Sequence, residues 1–148
     1  MYWGDCGEMA PVTTELISIQ ARQILDISAT YDVVDVTTGA KIGALRRKGL
    51  KSILKDEWLI LDAHDTEMGK IQEDSMVMAL VRRFVLGLIP QNYSIDIGGT
   101  PVATMQQNFN PFVTKITLDF SQDTQSLLDR GLGLAAAILM CAIEGKQN

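Results

Sequence analysis

Apolar and polar residues alternate at three places in the chain, each time on both sides of a short stretch that contains Asp or Gly. Each unit starts with an aromatic residue and continues through apolar residues to an Asp. After the turn, apolar residues follow again, with one small residue among them. The three units are residues 31–45, 58–71 and 93–105. Because Asp and Gly tolerate the backbone angles of turns, this pattern predicts three β-hairpins. The small residues, Gly43, Gly69 and Ala103, predict a bend or a close backbone approach in each returning strand.

The other apolar stretches in the first 120 residues predict further short strands. They lie at residues 15–21, 24–27, 77–84 and 112–120. A succession of short strands joined by turns is typical of an antiparallel sheet that closes into a barrel or a sandwich. The hairpin units are unevenly spaced, which argues against a propeller or a solenoid.

The C-terminal part of the chain has a different pattern, in which a polar stretch leads into an almost continuous apolar run over residues 132–143. Ser126 with Asp129 three residues later predicts a helix start, and Gly145 predicts the end, so we expect a helix over residues 126–144. Twelve apolar residues rise only about 18 Å along a helix, less than the ~30 Å of a bilayer core. A helix that is apolar on all sides must be enclosed, and an all-β protein offers the inside of a barrel.

Length and composition indicate one folded domain. With 148 residues, the chain is expected to have a tail over residues 1–13 and a single domain over residues 14–148. The contents of 47% hydrophobic and 21% charged residues exclude a disordered chain, a collagen and a disulfide scaffold. Cys6 and Cys141 make no disulfide framework and the first residues do not resemble a signal peptide, so a reduced, cytoplasmic protein is expected.

Charge is unevenly placed along the chain. The formal net charge is −5, which argues against nucleic-acid binding. Six basic residues and no acidic one lie between residues 41 and 55, so the rest of the chain carries −11. The candidate ligand residues for an anionic head group are this cluster and the pair at 82 and 83, namely Lys41, Arg46, Arg47, Lys48, Lys51, Lys55, Arg82 and Arg83. The alternative interpretation is a solvated strand edge, which lysines commonly protect.

Catalytic and metal-binding chemistry finds little support in the sequence. The one histidine, His64, lies in a predicted turn between Asp62 and Asp65, with no nucleophile assigned beside it. One histidine and two separated cysteines are too few ligands for a structural zinc site. Residues 131–136 match a dinucleotide-binding motif in letters only, because they fall inside the predicted helix and no βαβ unit surrounds them. We therefore predict no catalytic residue, no metal and no cofactor.

Together these features resemble the family that unites the Tubby C-terminal domain, the plant LURP-one-related proteins and the phospholipid scramblases, in the form of its small bacterial members. The resemblance rests on the hairpins 31–45 and 58–71 in their order, on the sequence N-F-N-P-F at residues 108–112, and on the acid-flanked stretch 119–129 that leads into the apolar helix. It covers residues 14–144. It implies a closed antiparallel barrel of about twelve strands around the C-terminal helix, which this length allows at about ten residues per strand and turn.

The resemblance also implies a class of function. Tubby-like domains bind phosphoinositide head groups through basic surface residues, and scramblases are credited with an acidic calcium segment before the final helix. The stretch before the helix contains only three acidic residues, Asp119, Asp123 and Asp129. Calcium takes about six to eight oxygen ligands, so we do not expect a calcium site here. We expect a non-enzymatic binding module for anionic phospholipid or a membrane surface. The alternative is a protein-interaction or structural scaffold with no lipid ligand. We expect a cytoplasmic monomer, peripheral at the inner membrane surface if it binds lipid.

Overall fold

The computed structural model describes residues 15–22, 29–48, 57–73, 92–108 and 115–144. These residues form eight β-strands and one α-helix. The strands are β1 Ile17–Ala21, β2 Thr30–Asp35, β3 Lys41–Arg47, β4 Glu57–Leu61, β5 Glu67–Glu73, β6 Asn92–Ile97, β7 Thr100–Asn108 and β8 Lys115–Asp119, and the helix is α1, Arg130–Glu144. The predicted tail and the predicted strands at 24–27 and 77–84 lie outside the described residues.

Each strand pairs antiparallel with the next strand along the chain, so the sheet order runs from β1 to β8. The three predicted hairpins are confirmed as β2–β3, β4–β5 and β6–β7. β1 confirms the strand predicted at 15–21, and β8 lies within the strand predicted at 112–120. The β6–β7 turn depends on Gly98 and Gly99, whose φ angles of 56° and 84° lie in the left-handed region that favours glycine.

A β-bulge occurs at the same point of all three hairpins. The register shifts directly after Val33, Ile60 and Ile95, whose partners are the small residues Gly43, Gly69 and Ala103. The extra residues in the returning strands all contribute to the core, and they are Ile42, Met68 and Val102. A Cβ on Gly43 would lie 2.5 Å from the backbone oxygen of Leu61 and 3.0 Å from Leu132 Cδ2, which confirms the predicted close approach. Because a bulge bends and twists a strand, the repeated small residue marks the points where the sheet curls.

The core lies between the inner face of the curled sheet and α1. The largest buried side chains of the sheet are Leu45, Ile60, Ile71, Tyr93, Ile95 and Met105. The helix adds Leu132 and Ala135, and it contacts β1, β2, β3 and β8, which lie near both edges of the sheet. A Cβ on Gly133 would lie 2.7 Å from the ring of Phe120, so the absence of a side chain at this position lets α1 pack closely against that ring.

The predicted mostly-β, barrel-like fold with one C-terminal helix is confirmed, but the prediction that it closes as a barrel of about twelve strands around the helix is wrong. The described part of the chain has a curled half-barrel of eight strands, with β1 and β8 at its edges. A half-barrel covers only part of a helix, and Leu134 and Ile138, one turn apart, are 47% and 45% exposed. An apolar run without polar interruptions has no periodicity to show which of its faces is covered, so the sequence suggested burial on all sides.

The helix begins at Arg130, four residues later than predicted, and it reaches Glu144. Ser126 has a φ angle of 54°, which a right-handed helix does not allow. Asp129, expected at the third helical position, is the N-terminal cap. Its Oδ1 accepts hydrogen bonds from the backbone N–H groups of Gly131 at 2.8 Å and Leu132 at 3.2 Å.

The two ends of the sheet carry different connections. At one end, the turn end, lie the short turns 36–40, 62–66 and 98–99 and the stretch 120–129 that leads into α1. At the other end, the connection end, β1, β3, β5 and β7 finish and β2, β4, β6 and β8 begin. This arrangement follows because consecutive strands are antiparallel.

Candidate functional site

Lys41, the first of the predicted ligand residues, lies in a network of ion pairs on the outer face of the sheet. Its Nζ is 2.7 Å from Asp65 Oδ1 and 3.0 Å from Asp32 Oδ1. Arg22 donates from Nε to Asp32 Oδ2 at 2.8 Å and from Nη2 to Asp32 Oδ1 at 2.6 Å, and it also pairs with Asp65. The network thus joins the end of β1, the strand β2, the start of β3 and the β4–β5 turn. Sequence analysis did not find it, because its members lie far apart along the chain.

The network changes the acidity of its carboxyl groups. The hydrogen bond from Arg22, aided by the bond from Lys41, outweighs the effect of burial and lowers the pKa of Asp32 to about 2. Arg22 and then Lys41 also lower the pKa of Asp65. The ammonium of Lys41 is therefore held by two ionised carboxylates, and an anionic head group would have to compete with both.

These ion pairs predict a defined sensitivity to acid. The pKa of Asp32 is about 2 in the folded chain and about 3.9 in an unfolded one. The network therefore stabilises the fold fully above about pH 4 and loses this contribution as the pH falls toward about 2. Asp32→Asn should lower the free energy of unfolding near neutral pH and flatten its decline over that interval, as measured by urea denaturation at a series of pH values. Asp96→Asn, on the outer face away from the network, should keep the native decline, and an equally steep decline in both variants would contradict the prediction.

Three further predicted ligand residues lie together at the connection end, where β3 finishes. Arg46 is on the outer face, and its Nε donates to Thr30 Oγ1 at 3.2 Å. Arg47 lies on the other face of the strand, and both arginines are half-buried. Lys48 Nζ is 2.6 Å from Glu57 Oε1, and this contact raises the pKa of Lys48 and lowers that of Glu57. The end of β3 thus brings three cationic groups close together.

The remaining predicted ligand residues, Lys51, Lys55, Arg82 and Arg83, lie outside the described residues. The flanking strands still fix where their segments are attached. β3 and β5 end at the connection end, and β4 and β6 begin there. Both segments therefore start and finish at the end that holds Arg46 and Arg47. Lys41 is separated from Arg47 by six residues of strand, about 20 Å, so one head group cannot contact both.

The turn end carries aspartates that hydrogen-bond to the backbone. Asp35, Asp62 and Asp119 each accept a hydrogen bond at 2.8 Å from the backbone N–H two residues further on. This is the usual way in which Asp stabilises a turn. Asp123 and Asp129 bind backbone N–H groups before and at the start of α1 in the same manner. In the described residues, no group of three or more His, Cys, Asp or Glu side chains is placed to hold a metal ion.

Asp123 has a structural role that the sequence did not reveal. Its side chain is fully buried, and its two oxygens accept hydrogen bonds from the backbone N–H groups of Leu127 at 2.7 Å and Leu128 at 3.2 Å. Arg130 Nη1 lies 3.5 Å from Asp123 Oδ2, and the guanidinium of Arg130 lies 4.3 Å from the centre of the Phe120 ring. These contacts tie the stretch after β8 to the first turn of α1. The sequence contained only an Asp in a polar stretch, which does not indicate burial.

The other candidates from the sequence occupy structural positions. His64 is exposed in the β4–β5 turn, where its backbone N–H donates to Asp62. Gly131 and Gly133 lie inside α1, as predicted, and not in a phosphate-binding turn. Trp58, the aromatic residue that starts the second hairpin unit, is buried in the core with its ring centre 6.0 Å from that of Tyr31.

The length and the apolarity of the helix bear on whether it can cross a membrane. Among the described helical residues, no helix combines the length and the apolarity needed to cross a bilayer.

Comparison of the chain with family models, with characterised proteins and with solved structures finds no match, so its resemblance to the Tubby-like and scramblase-related family stays a prediction.

Proposed function

We propose that this chain is a non-enzymatic binding module that attaches to anionic phospholipid surfaces through the connection end of its sheet. The observation that carries the proposal is the course of β3, which starts in the ion-pair network and brings Arg46 and Arg47 to the connection end. The two segments that hold the other predicted basic residues are attached at this same end. Those residues are Lys51, Lys55, Arg82 and Arg83.

The distribution of charge supports this orientation. A protein with a net charge of −5 is repelled by an anionic surface unless a basic part of it faces that surface. Among the described residues, Arg46, Arg47 and Lys48 lie at the connection end with Glu57 and Glu73, whereas Asp35, Asp62 and Asp119 lie at the turn end. An asymmetric field of this kind orients a protein as it approaches a charged surface. Each basic residue near an anionic membrane contributes about 1 kcal/mol, so several must act together.

The ion pairs within the network and with Glu57 bear on two of the predicted ligand residues, both of them lysines. Lys41 and Lys48 each have a carboxylate within 3.0 Å, so their charges are largely compensated. Arg46 and Arg47, the last two residues of β3 at the connection end, are the described residues that we assign to head-group binding. A guanidinium also suits this role because its planar fork can donate two hydrogen bonds to one phosphate.

The resemblance to Tubby-like domains supports the same ligand class, since those domains bind phosphoinositide head groups through basic residues on the sheet surface. A peripheral position at the inner membrane surface, where acidic lipids are exposed to the cytoplasm, follows from the proposal. The same end of the sheet could instead bind an acidic protein partner, and the lipid experiment decides between these two ligands.

Co-sedimentation with vesicles tests the proposal. The native chain should bind vesicles rich in acidic phospholipid at low salt, should not bind neutral vesicles, and should lose binding as salt rises, because charges are screened beyond ~10 Å at about 0.1 M. Arg46→Ala combined with Arg47→Ala should weaken binding by roughly thirtyfold, from about 1 kcal/mol per residue. Lys70→Glu changes the net charge by the same two units in the middle of the outer face and should have a much smaller effect.

Two results would overturn the lipid proposal. One is the absence of binding by the native chain to acidic vesicles at low salt. The other is native-like binding by the double arginine variant, with circular dichroism showing that it is folded. In either case the protein-interaction scaffold becomes the leading function.

A further inference from the structure

β8 lies at the edge of the sheet, and within the described residues it pairs with β7 alone. Its exposed and half-buried residues alternate, with Ile116 and Leu118 on the inner face. α1 packs against β8 and, on one face of the helix, carries Leu134 and Ile138, which are 47% and 45% exposed, and the half-buried Cys141. Strand edges with an adjoining apolar surface are sites where a second chain can add a strand.

The backbone of β8 has hydrogen-bonding groups that face this open side. The N–H of Ile116 points toward the Cys141 thiol, which belongs to the helix and not to β7. Backbone groups of alternate residues point the same way in a strand, so the N–H and C=O groups of Leu118 face the open side as well. Sulfur is a weak acceptor, and a backbone carbonyl in its place would make a stronger hydrogen bond.

The sequence of β8, Lys-Ile-Thr-Leu-Asp, is complementary to itself when two copies run antiparallel. With Thr117 on the two-fold axis, Lys115 of each copy lies opposite Asp119 of the other. In this same register Ile116 lies opposite Leu118, and these are the two residues whose backbone groups face the edge. Opposite charges directly across an antiparallel pair stabilise it, and like charges destabilise it.

We propose that two copies of this chain form a symmetric dimer by antiparallel pairing of their β8 strands. The dimer continues the sheet across the two-fold axis, and the inner side chains of the added strand extend the apolar surface of Leu134 and Ile138. A two-fold interface of this type closes on itself and does not lead to longer assemblies. β1, the other edge strand, has no charged residue in Ile17–Ala21 that would specify a register. The dimer replaces the monomer expected from the sequence, and it does not depend on lipid binding.

The geometry has a consequence for the two ends of the sheet. Because the paired β8 strands run antiparallel within one sheet, the two-fold axis is perpendicular to that sheet. The connection ends of the two copies therefore point in opposite directions, and the dimer exposes one basic end on each side.

Charge reversal tests the register of the dimer. Sedimentation equilibrium of the native chain should give twice the 16.3 kDa chain mass at high concentration. Lys115→Asp should raise the dissociation constant about tenfold or more, because it places Asp opposite Asp at both ends of the pair. Asp119→Lys should do the same by placing Lys opposite Lys. The combination of Lys115→Asp with Asp119→Lys restores both opposite-charge pairs and should restore the native dissociation constant.

A cysteine on the two-fold axis tests the same pairing independently. In a chain with Cys6→Ser and Cys141→Ala, Thr117→Cys should cross-link to its own copy under mild oxidation, because directly opposed residues lie about 4.5–5.5 Å apart at Cα, within disulfide range. Ser94→Cys, in the middle of the outer face, should not. A native chain that stays monomeric, or a dimer that is insensitive to both charge reversals and to Thr117→Cys, would overturn the proposal.

Discussion

Substitution of Leu132 by aspartate is expected to unfold the protein, whereas the same substitution at Leu134 is expected to leave it folded. Leu132 is 1% exposed and lies against β3, where a Cβ on Gly43 would be 3.0 Å from its Cδ2. An unpaired charge in this position costs several kcal/mol, a large part of the 5–15 kcal/mol that stabilises a typical domain. Leu134 is 47% exposed, so its carboxylate would remain in contact with water.

The measurement is urea denaturation followed by circular dichroism, with Ile138→Asp as a second exposed variant of the same helix. Leu132→Asp should show no cooperative transition. Leu134→Asp and Ile138→Asp should unfold cooperatively, within about 1 kcal/mol of the native chain. Equal loss of structure in all three variants would mean that the helix is enclosed on every side and that the half-barrel description is incorrect.

Removal of the Asp123 carboxylate is expected to cost about 3 kcal/mol of stability. Asp123→Ala deprives two backbone N–H groups, at Leu127 and Leu128, of a buried acceptor, and it leaves Arg130 without its partner. Hydrogen bonds to a charged group contribute about 1.5–3 kcal/mol each, and a broken buried ion pair costs about 3–5 kcal/mol. The Arg130 guanidinium is half exposed and keeps its contact with Phe120, so the lower part of that range applies.

Asp62→Ala is the matched control for this prediction. Asp62 also accepts hydrogen bonds from two backbone N–H groups, those of His64 and Thr66, but in an exposed turn where water can replace it. Its loss should cost about 1 kcal/mol, so the two variants separate burial from the number of hydrogen bonds. If both variants unfold at the same urea concentration, the burial of Asp123 contributes nothing.

The hairpins and the helix could be predicted because their signals are local. Alternation of apolar residues on either side of an Asp or Gly turn encodes two strands and their connection within about 15 residues. The repeated Gly43, Gly69 and Ala103 indicated a special backbone position, and each one lies at a β-bulge. The local signal gave the wrong helix start. Ser126 has the sequence pattern of a cap, but Asp129 is the residue that accepts hydrogen bonds from the first free N–H groups.

The basic residues at the end of β3 could be predicted as a cluster, because they are neighbours in the sequence. Their electrostatic partners could not. Lys41 meets Asp32 and Asp65, 9 and 24 residues away along the chain, through the pairing of four strands. Lys48 meets Glu57 only because β4 begins beside the end of β3. The charge of a side chain is a property of the sequence, whereas its compensation depends on which strands are adjacent.

The sequence by itself determined the three hairpins, the strands β1 and β8, the apolar helix, and the separation of a basic segment from an acidic remainder. Each of these depends on side-chain type and spacing over a few residues. Only the tertiary structure decided that the eight described strands form an open half-barrel, that Leu134 and Ile138 face outward, and that Asp123 is buried. Closure, exposure and ion pairing depend on the summed twist of the strands and on contacts between residues far apart in the chain, which no local pattern encodes.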